Sequence, residues 1–232
     1  MNLEASARDD SDTGMSIRQT PRGSAPAKQR IPQSVRTATT RLRLIEGAIS
    51  ALHDRGYAAA STTEILRRTK LSTGTMLHHF PTKVDLMLAA AMHIFDLQTA
   101  RYTAELALIE DPRDRFIGIT EIAWRALREP TGMALLEILM ATRSDPELGR
   151  RFLDVGSKIE QFHEDSMWDM AQEIGLTDRQ ALKQMIDVVL GAMRGLSIQL
   201  LFSKTPERVE SAMKMLIDWK SEWLSRVLPT ES

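Results

Sequence analysis

The chain has no cysteine among its 232 residues. That excludes disulfides, thiolate catalysis and every cysteine-ligated metal site. No apolar run approaches the roughly 18 residues that a membrane span needs. The most apolar stretch, 188–202, is interrupted by Arg194 and Gln199. The first residues show no charged-then-apolar signal pattern, so the expected location is cytoplasmic. Catalytic signatures are missing as well. The five histidines, His53, His78, His79, His93 and His163, form no HExxH or comparable metal spacing. There is no GxSxG elbow, no P-loop and no GxGxxG, and Gly191 and Gly195 fall inside an apolar helical pattern where packing explains them. The expectation is therefore no catalytic residue, no metal and no cofactor. A helical enzyme is the remote alternative, which turnover lost on mutating one named residue would revive.

Acidic residues are absent from 13–45, a stretch that holds Arg18, Arg22, Lys28, Arg30, Arg36, Arg41 and Arg43. The whole chain carries a net charge of −1, yet residues 1–88 carry +5 and residues 89–232 carry −6. A basic N-terminal part on a mildly acidic body suggests that one end meets a polyanion, a solvated tail being the plain alternative. Otherwise the composition is that of an ordinary globular protein, 43% hydrophobic and 26% charged.

Residues 1–37 contain Pro21, Pro26 and Pro32 and no aromatic residue. Such a segment buries too little apolar surface to offset its ordering entropy, so a disordered basic tail is expected there. Beyond it the period is helical as far as Leu228, with no convincing strand pattern. The first helix is expected over 39–55, with Leu42, Ile45, Ile49 and Leu52 on one stripe and Gly56 as its stop. Ser61–Glu64 reads as a capping box and Ser72 as the cap of a short helix ending near Phe80. Pro81 with Thr82–Asp85 stops that helix and caps the next. Asp111-Pro112, Asp145-Pro146 and Thr205-Pro206 each place a cap before a proline, and Thr177–Gln180 reads as another capping box. Further helices are expected over 82–109, 112–128, 131–143, 146–174, 178–203 and 206–228. The expected fold is thus all-α with about nine helices. It divides into a helix-turn-helix domain of three helices at 38–88 and a helical bundle at 89–232.

Function is carried by Ser61–Lys83. Ile65, Leu71, Met76 and Phe80 can anchor two short helices against the first long one. The second short helix then turns Thr73, Gly74, Thr75, Leu77, His78 and His79 outward. That face has no acid and is small at its N-terminal end, which suits a helix entering the major groove of DNA. This stretch resembles the DNA-binding region of the TetR/AcrR family of transcriptional regulators. The resemblance covers roughly 39–88. It rests on Leu44–Ala48, on Gly56-Tyr57, on Ser61–Ile65, on Leu71–Met76 and on His79–Lys83. Three features depart from the family: Lys70 stands where glycine is usual in the turn, Leu77 replaces a usual aromatic, and Leu66 and Thr69 replace usual alanines.

By that resemblance, Thr73, Gly74, Thr75 and Leu77 face base edges. His78, His79 and Lys83 face phosphates, and Thr63 reaches the duplex from the preceding helix. Arg41, with Arg36 and Arg43, is placed to add backbone or minor-groove contacts. For the histidines and arginines, solvated surface groups are the alternative. In the body, the last two helices are apolar on more than one side, which a symmetric four-helix interface would bury. Homodimerisation through 178–203 and 206–228 is therefore expected, and the family implies the same. Trp124, Met140, Phe162, Met167 and Met193, with His163 as a polar handle, are the expected contacts of a small, largely apolar ligand. Plain core packing is the alternative for each. The expected function is a dimeric repressor released from a near-palindromic, double-stranded operator by that ligand. A regulator of the same fold without an effector is the alternative.

Overall fold

The computed structural model describes residues 32–228. The expectation for the tail falls outside the described residues as far as residue 31. Among the described residues there are nine helices: α1 (Gln33–Ala59), α2 (Thr62–Thr69), α3 (Thr73–His79), α4 (Lys83–Leu106), α5 (Pro112–Leu127), α6 (Pro130–Ala141), α7 (Pro146–Glu173), α8 (Arg179–Leu200) and α9 (Pro206–Val227). None of them is long and apolar enough to cross a membrane.

The helix starts follow the sequence signals closely. Asp111, Asp145 and Asp178 each cap with a carboxylate, and Thr82 with Asp85 forms a full capping box. Three details differ from expectation. Helix α1 begins at Gln33 rather than near Thr39, so Gln33–Thr37 are helical and not tail. Pro32 sits at the cap, where a missing N–H costs nothing, and no breaker follows it before Gly47. Glu64 does not close a capping box: Ser61 Oγ accepts the Glu64 N–H, but the Glu64 carboxylate turns to Arg67 and Arg68, which hold it down to about 2. At the start of α8 the cap is Asp178, one residue beyond the expected Thr177.

Two cores form. One joins α1 through α4 with α6 and α7, around Leu44, Leu52, Ile65, Leu86, Ile94 and Ile138. The other lies among α5, α7, α8 and α9, around Phe116, Leu182, Met193 and Leu224. In α1 the buried stripe is Leu44, Ile45, Ala48, Ile49, Ala51 and Leu52, while Leu42 faces out.

Two glycines in α1 have structural reasons. Gly56, at φ 72° and ψ 170°, breaks the helix in a region that only glycine occupies readily. Gly47 leaves the room that Thr69 fills: a Cβ there would lie 2.3 Å from Thr69 Cγ2.

Candidate functional site

The three N-terminal helices present one face. In α3, Met76 and Phe80 are buried, whereas Thr73, Gly74, Leu77 and His78 are exposed and Thr75 and His79 half-exposed. The i, i+4 pair of anchors thus sets which side points outward. Leu77 is 54% exposed. Most of this apolar side chain is therefore in water, on the side of α3 away from Met76 and Phe80.

Ser72 caps α3 by accepting the Thr75 N–H, and its hydroxyl also bonds Thr75 Oγ1 at 2.8 Å. Lys70, in the turn between α2 and α3, has φ 54° and ψ 35°, the left-handed conformation that glycine adopts without strain. The turn therefore keeps its geometry despite the lysine.

Cations rim this face unequally. Arg41 is exposed, and its guanidinium lies 4.9 Å from the centroid of the Phe80 ring. Arg43 is committed inward, donating to the Thr69 carbonyl at 2.7 Å, which satisfies a carbonyl at the end of α2. Arg36 is exposed near the start of α1. His78 and His79 meet edge-on at 5.2 Å, and burial with the adjacent His78 and Arg41 pushes the His79 pKa below the usual imidazole value. At neutral pH His79 is thus a neutral hydrogen-bonding group.

Lys83 donates to the Tyr57 carbonyl at 2.8 Å and lies 4.0 Å from the centroid of the Tyr57 ring. One of its three donors is spent inside the molecule, and burial lowers its pKa. Thr63 is exposed on α2.

The body holds a cavity of about 540 Å³ between α4, α5, α7, α8 and α9. Phe162, His163, Met167 and Met193 line it. Trp124 and Met140 do not. Trp124 is core, its indole N–H donating to Glu210 at 3.3 Å, and Met140 lies on α6, 58% exposed. Their helical spacing gave no sign of which way each side chain turned.

His163 is largely desolvated and sits near Arg194, both of which lower its pKa. It also borders a second cavity of about 450 Å³, whose wall includes Arg194.

Sequence reasoning missed Lys220, Tyr102 and Thr99 on the wall of the first cavity. Lys220 was detectable. It falls in register with Val209, Met213 and Leu224, the buried stripe of α9, so a charge stands where the pattern calls for an apolar residue.

Two short helices joined by a tight turn, the second offering an acid-free outer face, define a helix-turn-helix DNA-binding protein. Comparison with known proteins agrees. Residues 44–90 match the model of bacterial regulatory proteins of the tetR family. The chain is 27% identical over 183 residues to the HTH-type transcriptional regulator CymR of Pseudomonas putida, covering 78% of this chain and 89% of that one. It is 30% identical over 114 residues to the HTH-type transcriptional repressor AcnR of Corynebacterium diphtheriae, 49% of this chain and 56% of that protein. Among solved structures it is similar to a transcriptional regulator from Saccharomonospora viridis in complex with choline. There the TM-score is 0.61 and the identity 24%, over 78% of this chain and 95% of that one.

The chain belongs to the TetR family and is a DNA-binding transcriptional regulator. This is a family of regulators and not of enzymes.

Proposed function

We propose that the protein is a homodimeric repressor that holds a near-palindromic operator through two copies of α3 and leaves it when a small, largely apolar molecule enters the body. The observation that carries this reading is the outer face of α3, exposed and free of acid while Met76 and Phe80 anchor its inner face. On this reading residues 38–88 bind DNA and residues 89–232 bind the ligand and the second copy. Thr73, Gly74, Thr75 and Leu77 read base edges, Leu77 against an apolar feature such as a thymine methyl. His78, His79 and Lys83 contact phosphates, Thr63 reaches the duplex from α2, and Arg41 adds backbone or minor-groove contacts. All of this takes place in the cytoplasm, and repression is the activity named for the AcnR relative.

Dimerisation is supported by what α8 and α9 leave uncovered. Val188, Gly191, Gly195 and Met215 are exposed, as are Leu201 and Phe202 beyond α8. A Cβ built on Gly191 or Gly195 meets nothing within 4 Å. A stripe of small residues edged by large apolar ones suits close approach of a symmetry-related helix. The effector reading is supported by the cavity and by the choline-bound state of the Saccharomonospora viridis regulator.

Binding-site selection with the full chain tests the proposal. The expected product is an inverted repeat whose half-sites lie about 34–36 Å apart or at a multiple of that. A single unrepeated site, or no enrichment, refutes the dimeric reading. Compounds that bind the body without releasing DNA leave a regulator that responds to no effector at this cavity.

A further inference from the structure

Lys220 is the only charged side chain that is fully buried among the described residues, with 1% of its surface exposed. It stands on the wall of the body cavity. Its ammonium donates to the Phe116 carbonyl and, at 2.9 Å, to Thr120 Oγ1, and lies 4.4 Å from the centroid of the Phe116 ring. These partners are dipoles and a π face, and none carries a charge. No carboxylate pairs with Lys220 among the described residues. The one acid on the cavity wall, Asp169, is exposed.

The other strong cation there, Arg115, is already paired with a carboxylate. It donates to the carbonyls of Ile109 and Glu110, both at 3.2 Å, and to Glu173 at 2.9 Å. A lone ammonium in apolar surroundings costs several kcal/mol unless an anion pairs with it or it gives up its proton. The cavity contains further unspent polar capacity. Thr99 Oγ1 is buried on its wall with no hydrogen-bond partner, and the Tyr102 hydroxyl has no protein partner among the described residues. The rest of the wall is mostly apolar.

We infer that this cavity takes a small carboxylic acid with an apolar body, its carboxylate paired with the Lys220 ammonium and its hydrocarbon among Ile119, Phe162, Met167, Met170, Met185 and Met193. The inference rests on the ligand-responsive reading above and specifies its ligand class. A volume of about 540 Å³ admits one compact hydrophobic skeleton. An amine on the same skeleton brings a second cation to Lys220. An amide leaves the ammonium without a counter-charge. Both are discriminated against by the same missing anion.

The test uses the full chain with octanoate, 4-phenylbutyrate and 2-naphthoate, each against its amide and its amine, read by calorimetry and thermal shift. At least one carboxylate should bind saturably and at least about tenfold more tightly than its amide and amine. In Lys220→Met, which fills the same space without charge, that preference should vanish while amide binding is kept. Amide or amine binding equal to the carboxylate, an unchanged preference in Lys220→Met, or no binding by any of the three acids up to millimolar concentration overturns the inference. The wild-type comparison stands even if the variant folds poorly. Release of operator DNA is measured separately. Lys220-dependent carboxylate binding without release keeps this inference and sinks the effector reading. Release by neutral compounds, independent of Lys220, does the reverse.

Discussion

Gly74 offers a way to separate folding from the recognition proposed for α3. A Cβ there would meet only Ser72 Oγ, at 3.9 Å, so nothing within the chain calls for glycine. Inside a helix glycine costs about 0.5–1 kcal/mol relative to alanine. Gly74→Ala should therefore raise stability in urea melts by about 0.5 kcal/mol while, on the function proposed above, weakening operator binding, because the added methyl would stand on the face offered to DNA. Unchanged DNA affinity in a stabilised Gly74→Ala would remove Gly74 from the contact surface. Lys220 provides a second test at this scale, through pH. Burial pushes it down to about 7, whereas an unfolded lysine titrates near 10.4. Between those values the unfolded chain binds the extra proton, so stability climbs with pH, by up to about 1.4 kcal/mol per unit. Below about pH 7 both states are charged and the full cost of the buried cation stands. Of the other ionisable groups sharing the cavity, Arg115 is bound to Glu173 and Asp169 is exposed to water. Burial holds His163 below the usual imidazole value and raises Tyr102 to about 12. Urea melts of wild type and Lys220→Met should thus differ most near pH 6–7, with the variant the more stable, and converge toward pH 10. A difference that does not vary with pH would mean that Lys220 does not titrate in this range.

Between elements, the contact of α1 with α2 depends on a matched pair. Gly47 makes room for Thr69, whose hydroxyl bonds the Ile65 carbonyl at 2.9 Å and whose methyl occupies the space above the glycine. Gly47→Ala on its own gains helix propensity but must displace that methyl. Overpacking of this kind costs about 1–3 kcal/mol. With Thr69→Ala the clash disappears and the gain remains. Thermal melts of the two single variants and the double variant should therefore show strong positive coupling, with the double variant at least as stable as wild type. Additive effects would mean that α2 shifts freely and the fit is loose. The same pair shows what the sequence made legible. Helix order and nearly every start were readable, because prolines and capping carboxylates act locally. The outward face of α3 was readable too, since Met76 and Phe80 lie i, i+4. Lys70 in a left-handed turn and the altered packing at Thr69 were visible as departures from a known pattern, though not the compensating role of Gly47. The cavity wall was only partly readable. Trp124, Met140 and Met167 share the same apolar periodicity, and only the crossing of five helices decides which of them borders empty space. The register of Lys220 with Val209, Met213 and Leu224 marked it as unusual, but a lysine in an apolar stripe ordinarily extends its ammonium to water, and only the packing of α5 shows that it is closed over.

Across the whole molecule, the helix-turn-helix unit is joined to α4, α6 and α7 at Tyr57. Its N–H donates to Glu137 of α6 at 2.9 Å, and its hydroxyl to Asp145, the cap of α7, at 2.6 Å. Its carbonyl accepts from Lys83 in the first turn of α4. Burial and the Asp145 bond hold the phenol well above its ordinary pKa, and that bond with two backbone N–H groups holds Asp145 below the carboxylate range. The bond therefore persists across the physiological pH range. Helices α4 and α7 both line the cavity further along, through Thr99, Tyr102, Phe162 and Met167. A ligand that separates them acts on two elements whose near ends are tied to one residue of α1. A switch needs only a coupling of about 1–3 kcal/mol between ligand and DNA. Tyr57→Phe keeps the ring under Lys83 and removes only the bond to Asp145, which still caps α7 through the N–H groups of Glu147 and Leu148. Stability should fall by about 1.5–3 kcal/mol, the range for a hydrogen bond to a charged group. Operator affinity without ligand should change little. The ratio of operator affinities measured with and without a saturating effector should shrink severalfold, because α7 no longer transmits its displacement to α1. A ratio equal to that of wild type, alongside the loss of stability, would make this bond a structural clasp and leave α4 and Lys83 as the route between the two sites.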